Sequence, residues 1–377
     1  MNKLKIIIDG RMYRESGIGR YIRNLISKLK IIDKENEYFI LHLKNDYDNL
    51  EYGGNFHKVL ANFRWYGVGE QLRLPKLLSE IKADLVHFPH FNAPLFYRGK
   101  YVVTVHDLIH QNFSMQRATT HGPIVYKLKK IGYKKVFKMA LKRSVKILVP
   151  SDFVKDQLIK DWRVDDDKVE VTYEAVDEGI FKIVRALNKN KINKILEKFG
   201  IKAPYIFYVG NAHPHKNVEG LIKAFQDIRA KYPDLLLVLS GNDHYFWQRI
   251  KKEFQDKNII YTDYVSDEEL VGLYTNALAF VSPSLEEGFG IPLLEAMACG
   301  CPVVSSDAGS LPEVGGDAAV YFNSKSIGDM SEKISKILDD AGLRKSLRDK
   351  GLTRCAQFSW LTLAQKTLEV YEKCALQ

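Results

Sequence analysis

Short apolar runs with strand character alternate with amphipathic helical segments along the chain, and the alternation begins afresh at Tyr205-Ile-Phe-Tyr-Val-Gly210. Such a pattern folds into parallel sheets covered on both faces by helices. In the first half it predicts strands at 4–9, 37–43, 85–88, 101–105, 146–149 and 168–172, with helices at 18–31, 69–82, 122–143 and 152–161. In the second half it predicts strands at 205–210 and 235–240, a helix from Val218 to Lys231 between them, and strands near 259–262, 278–282 and 302–305. A chain of 377 residues is long for one core and sufficient for two domains, expected at 1–178 and 179–357, with a helical segment over 358–377. Asp177 to Lys202, rich in Lys and Asn around a short helical piece, is the expected hinge.

Two carboxylates stand out in Glu287-Gly-Phe-Gly-Ile-Pro-Leu-Leu-Glu295. The run before them reads as a buried strand, and Leu293 to Cys299 reads as a helix stopped by Gly300. Pro292 suits the first helical turn, where its missing N–H costs nothing. Gly288 and Gly290 allow close backbone approach, so the amides of Phe289, Gly290 and Ile291 at the helix start can face an anion. A carboxylate in the loop and another about a turn into the helix could reach opposite ends of a sugar nucleotide, although an acidic loop followed by an ordinary exposed helix residue would read the same way.

The surrounding motifs narrow the choice. Gly17-Ile-Gly-Arg-Tyr21, Leu85-Val-His-Phe-Pro89, Val105-His-Asp107, Tyr208-Val-Gly-Asn-Ala-His-Pro-His-Lys-Asn217 and Gly309-Ser-Leu-Pro-Glu-Val-Gly-Gly-Asp317 occur in that order around the glutamate pair. Together they resemble the retaining glycosyltransferases of family four over nearly the whole chain, most closely the bacterial mannosyltransferases that use GDP-mannose. The resemblance implies an α/β GT-B fold: two facing Rossmann-like domains, a central cleft, and a C-terminal helix crossing back to the N-terminal domain. It implies that Glu287 contacts the donor sugar, Glu295 the ribose and Lys216 the diphosphate. It places His106 beside the transferred sugar and Gly17 and Gly19 at the phosphates. Arginines common near that lysine are replaced here by Asn211 and His215, so donor phosphate charge is expected to rest on Lys216, the helix start and a protonated His215.

Charge is unevenly distributed. Residues 1–178 hold 31 Lys+Arg and 22 Asp+Glu, whereas the remainder holds 25 and 24. No acid occurs between Asp107 and Asp152, and Ile124 to Lys146 contains nine basic residues. At 100° per residue Lys127, Lys130, Lys134, Lys138 and Lys142 form one stripe, with Tyr126, Tyr133, Phe137 and Ala140 on another side. Such a helix suits an anionic membrane surface, or a solvated face over its own sheet. Nucleic acid is not expected, because no base-reading module accompanies the charge.

Other chemistries fit less well. The NAD fingerprint fails because Ile22 stands where its third glycine belongs. Asp165-Asp-Asp167 matches a metal motif of other sugar transferases but lies where a solvated turn would. The resembled enzymes need no metal, and no cofactor is expected beyond the nucleotide-sugar co-substrate. His87, His90 and His110 fit strand ends and loops better than a metal box. The four cysteines lack zinc spacing, and neither disulfides nor structural metal are expected. The N-terminus reads as a strand and no apolar stretch is long enough to span a bilayer, so a cytoplasmic protein, peripheral at the inner face of the cytoplasmic membrane, is expected. A lipid-linked saccharide acceptor in surface polysaccharide assembly accords with these features. Transfer from a UDP-hexose, a sugar-nucleotide epimerase or hydrolase, and a non-catalytic carbohydrate- or membrane-binding module remain the alternatives.

Overall fold

The computed structural model describes residues 3–109, 123–241 and 244–376, with side chains described for all of these except 123–130 and 244. The chain divides into two compact units. The first runs to Glu174 and takes in the terminal segment from Trp360, while the second comprises Ala175–Ser359.

The first unit holds seven strands, β1 (Lys5–Asp9), β2 (Glu37–His42), β3 (Phe56–Leu60), β4 (Leu85–Phe88), β5 (Tyr101–Thr104), β6 (Lys146–Val149) and β7 (Val169–Val171). All pair in parallel in the order β3-β2-β1-β4-β5-β6-β7. Every residue of β4 and β5 is buried, as expected where helices cover both faces. Val86, Val103 and Ile147 pack in one core with Leu74, Leu78, Phe137 and Leu141 from the helices. The terminal helix Trp360–Leu376 packs against the helix Gly17–Ile32 and against β4 and β6.

The second unit holds β8 (Tyr205–Val209), β9 (Leu236–Ser240), β10 (Ile259–Asp263), β11 (Ala279–Ser282), β12 (Val303–Ser306) and β13 (Ala319–Phe322), again all parallel, ordered β10-β9-β8-β11-β12-β13. Its core joins Ile206, Leu237 and Val281 to Leu221, Phe225 and Ile334. Two Rossmann-like sheets are therefore present, as the alternation predicts.

Three local expectations need correction. The Lys- and Asn-rich stretch expected as a hinge forms two helices, Glu178–Ala186 and Lys189–Lys198, both packed on the helix Asp267–Asn276. Asp177 and Asn188 cap them through their side chains, and Ile195 sits so close to Gly272 that a Cβ there would lie 2.6 Å from its Cδ1. The edge strands β3 and β13 were absent from the predicted set. The helix expected at 18–31 begins one residue earlier, at Gly17, so Gly17 and Gly19 both lie in its first turn.

The basic helix spans Pro123–Arg143. Lys134, Lys138 and Lys142 are exposed while Phe137 and Ala140 are buried, so this part is amphipathic. Lys127, Lys130 and Tyr126 fall outside the described side chains, and His110 outside the described residues. Asp165 to Asp167 form an exposed turn in which Asp166 pairs with Lys155 at 2.9 Å. All four cysteines are buried free thiols. Among the described residues no helix is long and apolar enough to cross a membrane, and no group of His, Cys, Asp and Glu is arranged to hold a metal ion.

Candidate active site

Strand order fixes where each unit can bind a ligand. In the second unit β8 and β11 are neighbours from which the remaining strands are added outward in opposite directions, so a crevice opens at their carboxyl ends. The loops that leave these two strands carry Lys216 and Glu287.

Lys216 Nζ lies 2.6 Å from Glu287 Oε1, and Ser284 Oγ donates to the same oxygen at 2.6 Å. Burial alone would raise the Glu287 pKa. Lys216, followed by the Ser284 hydroxyl and the charge of His215, outweighs it and holds the carboxyl below its ordinary value. The site therefore contains a fixed carboxylate gripped by an ammonium. The backbone ties the loops together: Leu285 N donates to His215 O at 2.6 Å, and Ser310 donates to Glu287 O from both N and Oγ. Gly309 (φ +63°) is required for this approach, since a Cβ there would lie 2.5 Å from Glu287 O.

Lys216 ends a short 3₁₀ turn, Pro214–Lys216. His215 is buried and its ring stacks on that of His213 at 5.9 Å. Asn211 is exposed; its Oδ1 accepts from His213 N and its carbonyl from Tyr208 Oη. On the other loop Gly290 (φ +99°) caps the helix Ile291–Ala298, and Pro292 occupies its first turn. Phe289 turns its ring inward against Phe358. Glu295, only 3% exposed, is not a surface residue: Tyr274 Oη, which reaches Pro292 O at 3.2 Å, stands 3.5 Å from its carboxylate.

The switch point of the first unit lies between β1 and β4. Gly19 sits in the first turn of its helix because a Cβ there would strike Tyr13 O and Met12 O at 2.5 and 2.9 Å, whereas Gly17 faces open space. His106, beyond the end of β5, directs Nδ1 to Glu174 Oε1 and Nε2 to Pro89 O, each at 2.9 Å. Nε2 carries the proton that it donates to Pro89 O, since a carbonyl oxygen can only accept. Burial disfavours the charge, but Glu174 prevails and raises the His106 pKa. His106 is thus pinned at both ring nitrogens with its charged form favoured, and Tyr21 is set edge-on at 4.9 Å.

In the same unit Arg11 joins two buried carboxylates, reaching Asp9 Oδ2 at 2.6 Å and Glu70 Oε1 at 2.8 Å. Glu70 also accepts from Asn92 Nδ2 and from the backbone N–H of Tyr66. Burial leaves the Glu70 pKa raised in spite of Arg11. Tyr66 itself has φ +61°, a conformation that costs a non-glycine residue roughly 1–2 kcal/mol. Glu174, Ser284 and Glu70 are absent from the sequence-derived site. The strand-end rule that selects His106 also applies to Glu174, three residues past β7, but nothing local marks Glu70.

Comparison with known proteins agrees with this geometry. A model described as Glycosyltransferase Family 4 matches residues 16–179, and one described as Glycosyl transferases group 1 matches residues 190–354. The chain belongs to glycosyltransferase family four. This glycosyltransferase is 29% identical to the O-antigen chain mannosyltransferase B of Escherichia coli over 96% of this chain and 97% of the other. It is 31% identical to the O-antigen chain mannosyltransferase RfbU of Salmonella typhimurium over 69% of this chain and 66% of the other. A glycosyltransferase from Rickettsia africae, 19% identical, matches over the full length of both chains with a TM-score of 0.75, which shows the shared GT-B fold.

Proposed function

We propose that this glycosyltransferase moves mannose from GDP-mannose, with retention of anomeric configuration, to a lipid-linked saccharide in surface polysaccharide assembly. The donor choice is supported by its similarity to two proteins named O-antigen chain mannosyltransferases. The observation that carries the chemistry is the Lys216–Glu287–Ser284 cluster at the switch point of the second unit.

The acceptor hydroxyl attacks the anomeric carbon from the face the nucleotide leaves. The bond to the diphosphate oxygen breaks, and that oxygen takes the hydroxyl proton. Lys216 and the amides at the start of the helix Ile291–Ala298 stabilise the charge developing on the diphosphate without a metal. Glu287, held at one oxygen by Lys216 and Ser284, orients the donor sugar's hydroxyls, and Glu295 holds the ribose. His106 acts as a fixed positive charge toward the sugar rather than as a proton shuttle, because Glu174 and Pro89 occupy both ring nitrogens. The exposed face of Lys134, Lys138 and Lys142 supports a peripheral position at the inner face of the cytoplasmic membrane.

Thermal-shift measurement with GDP-, UDP- and ADP-sugars tests the donor, and GDP-mannose should give the largest rise. A larger rise with a UDP-hexose would replace the base and keep the chemistry. Release of free mannose at the same rate with and without any saccharide acceptor would replace the transferase by a hydrolase.

A further inference from the structure

Tyr66 combines three properties that a merely connecting residue would not need. The residue is 59% exposed, its backbone is left-handed at φ +61°, and both of its ends are fastened. The N–H donates to Glu70 Oε2 at 2.9 Å, and Glu70 is itself locked by Arg11 and Asn92. The hydroxyl meets His90 Nε2 at 2.7 Å. Arg11 further secures the approach to Tyr66 by donating to Phe63 O at 3.2 Å. A buried ion cluster thus anchors an exposed aromatic residue in a backbone conformation that glycine would adopt at lower cost.

The location gives the ring a use. His90 follows β4 by two residues, so it lies at the switch-point edge where α/β sheets bind ligands. The adjoining Pro89 accepts from His106 Nε2. One short strand-end segment, Pro89-His90, therefore fastens the candidate sugar-side histidine with one residue and Tyr66 with the next. Pyranose rings present a face of C–H groups that packs on an exposed aromatic ring, with hydroxyls at the rim that need polar partners. Tyr66 offers such a face, with its hydroxyl held at the rim by His90 Nε2.

We propose that Tyr66, braced by Glu70 and His90, is the stacking platform for a pyranose residue of the acceptor saccharide. The proposal rests on the glycosyltransferase activity and deepens it by assigning the acceptor's contact.

Saturation-transfer NMR with methyl α-D-mannopyranoside as the probe tests the platform without requiring turnover. The wild-type protein should transfer saturation to the probe's ring C–H protons, and Tyr66→Leu should lower the signal at least five-fold while Tyr66→Phe retains half or more. GDP affinity, measured by calorimetry, reports on the folding and donor site of the same preparations. An undiminished probe signal in Tyr66→Leu, or no signal in the wild type, overturns the platform. Failure of GDP-, UDP- and ADP-sugars to bind the wild type would instead remove the donor assignment, and the NMR comparison would still decide the role of Tyr66.

Discussion

Lys216 Nζ and Glu287 Oε1, from residues 71 apart in sequence, lie 2.6 Å from each other. The ammonium assigned to the diphosphate and the carboxylate assigned to the sugar are therefore one electrostatic unit. Lys216→Ala should weaken nucleoside diphosphate binding by roughly 1.5–3 kcal/mol, the range for hydrogen bonds to charged groups. It should also raise the Glu287 pKa, since burial would remain without its main opposition. Equal GDP affinity in both proteins by calorimetry would place the diphosphate elsewhere.

The two glutamates should fail in different ways. Glu295→Gln should chiefly raise the Michaelis constant for the donor, because a ribose contact is equal in ground and transition states. Glu287→Gln should lower turnover with modest change in GDP binding. Steady-state kinetics separates these outcomes, and identical defects would sink the assignment. Proton NMR of the first-formed glycoside should show the donor's anomeric configuration, and inversion would reject the mechanism.

The His106–Glu174 pair should be visible in stability as a function of pH. A histidine whose pKa is raised on folding contributes stability in full below its unfolded pKa of about 6.5, and that contribution is lost as pH rises through the folded value. The stability difference between wild type and Glu174→Gln should therefore shrink as pH rises above neutrality. A difference that is constant or grows over that interval in denaturant titrations would show that the pair carries no folded-state charge.

The exposed lysines of the helix Pro123–Arg143 should govern attachment to anionic lipid. Substituting Lys134, Lys138 and Lys142 with Glu should abolish sedimentation with phosphatidylglycerol vesicles and leave GDP binding intact. Sedimentation that persists and is insensitive to salt would exclude this face.

Gly290 tests the geometry of the loop assigned to the diphosphate. Its φ of +99° and the 2.7 Å approach of Leu311 Cδ2 to a built Cβ both oppose any side chain. Gly290→Ala should destabilise the protein by roughly 1–3 kcal/mol in denaturant titration. An unchanged midpoint would show that the loop accommodates the change.

The parallel α/β class, most of the central strands and the helix start at Gly290 to Pro292 were legible along the chain. These features are written in local periodicity and in single residues whose backbone preferences act on their own neighbours. The motif positions also stood in the sequence, because the loops that carry them are contiguous. What local pattern could not show was the edge strand Phe56–Leu60, whose centre reads His-Lys, or the four-residue edge strand Ala319–Phe322. That Glu178 to Lys198 forms two packed helices and not one short helical piece was hidden too, because its polar composition says little about the packing of Ile195 against Gly272. The partners within each site follow from the folded arrangement alone: Lys216 with Glu287, His106 with Glu174, and Arg11 with Glu70. Each pair is made when strand order brings distant strand ends or helix starts together, and periodicity along a chain contains no record of which strands become neighbours.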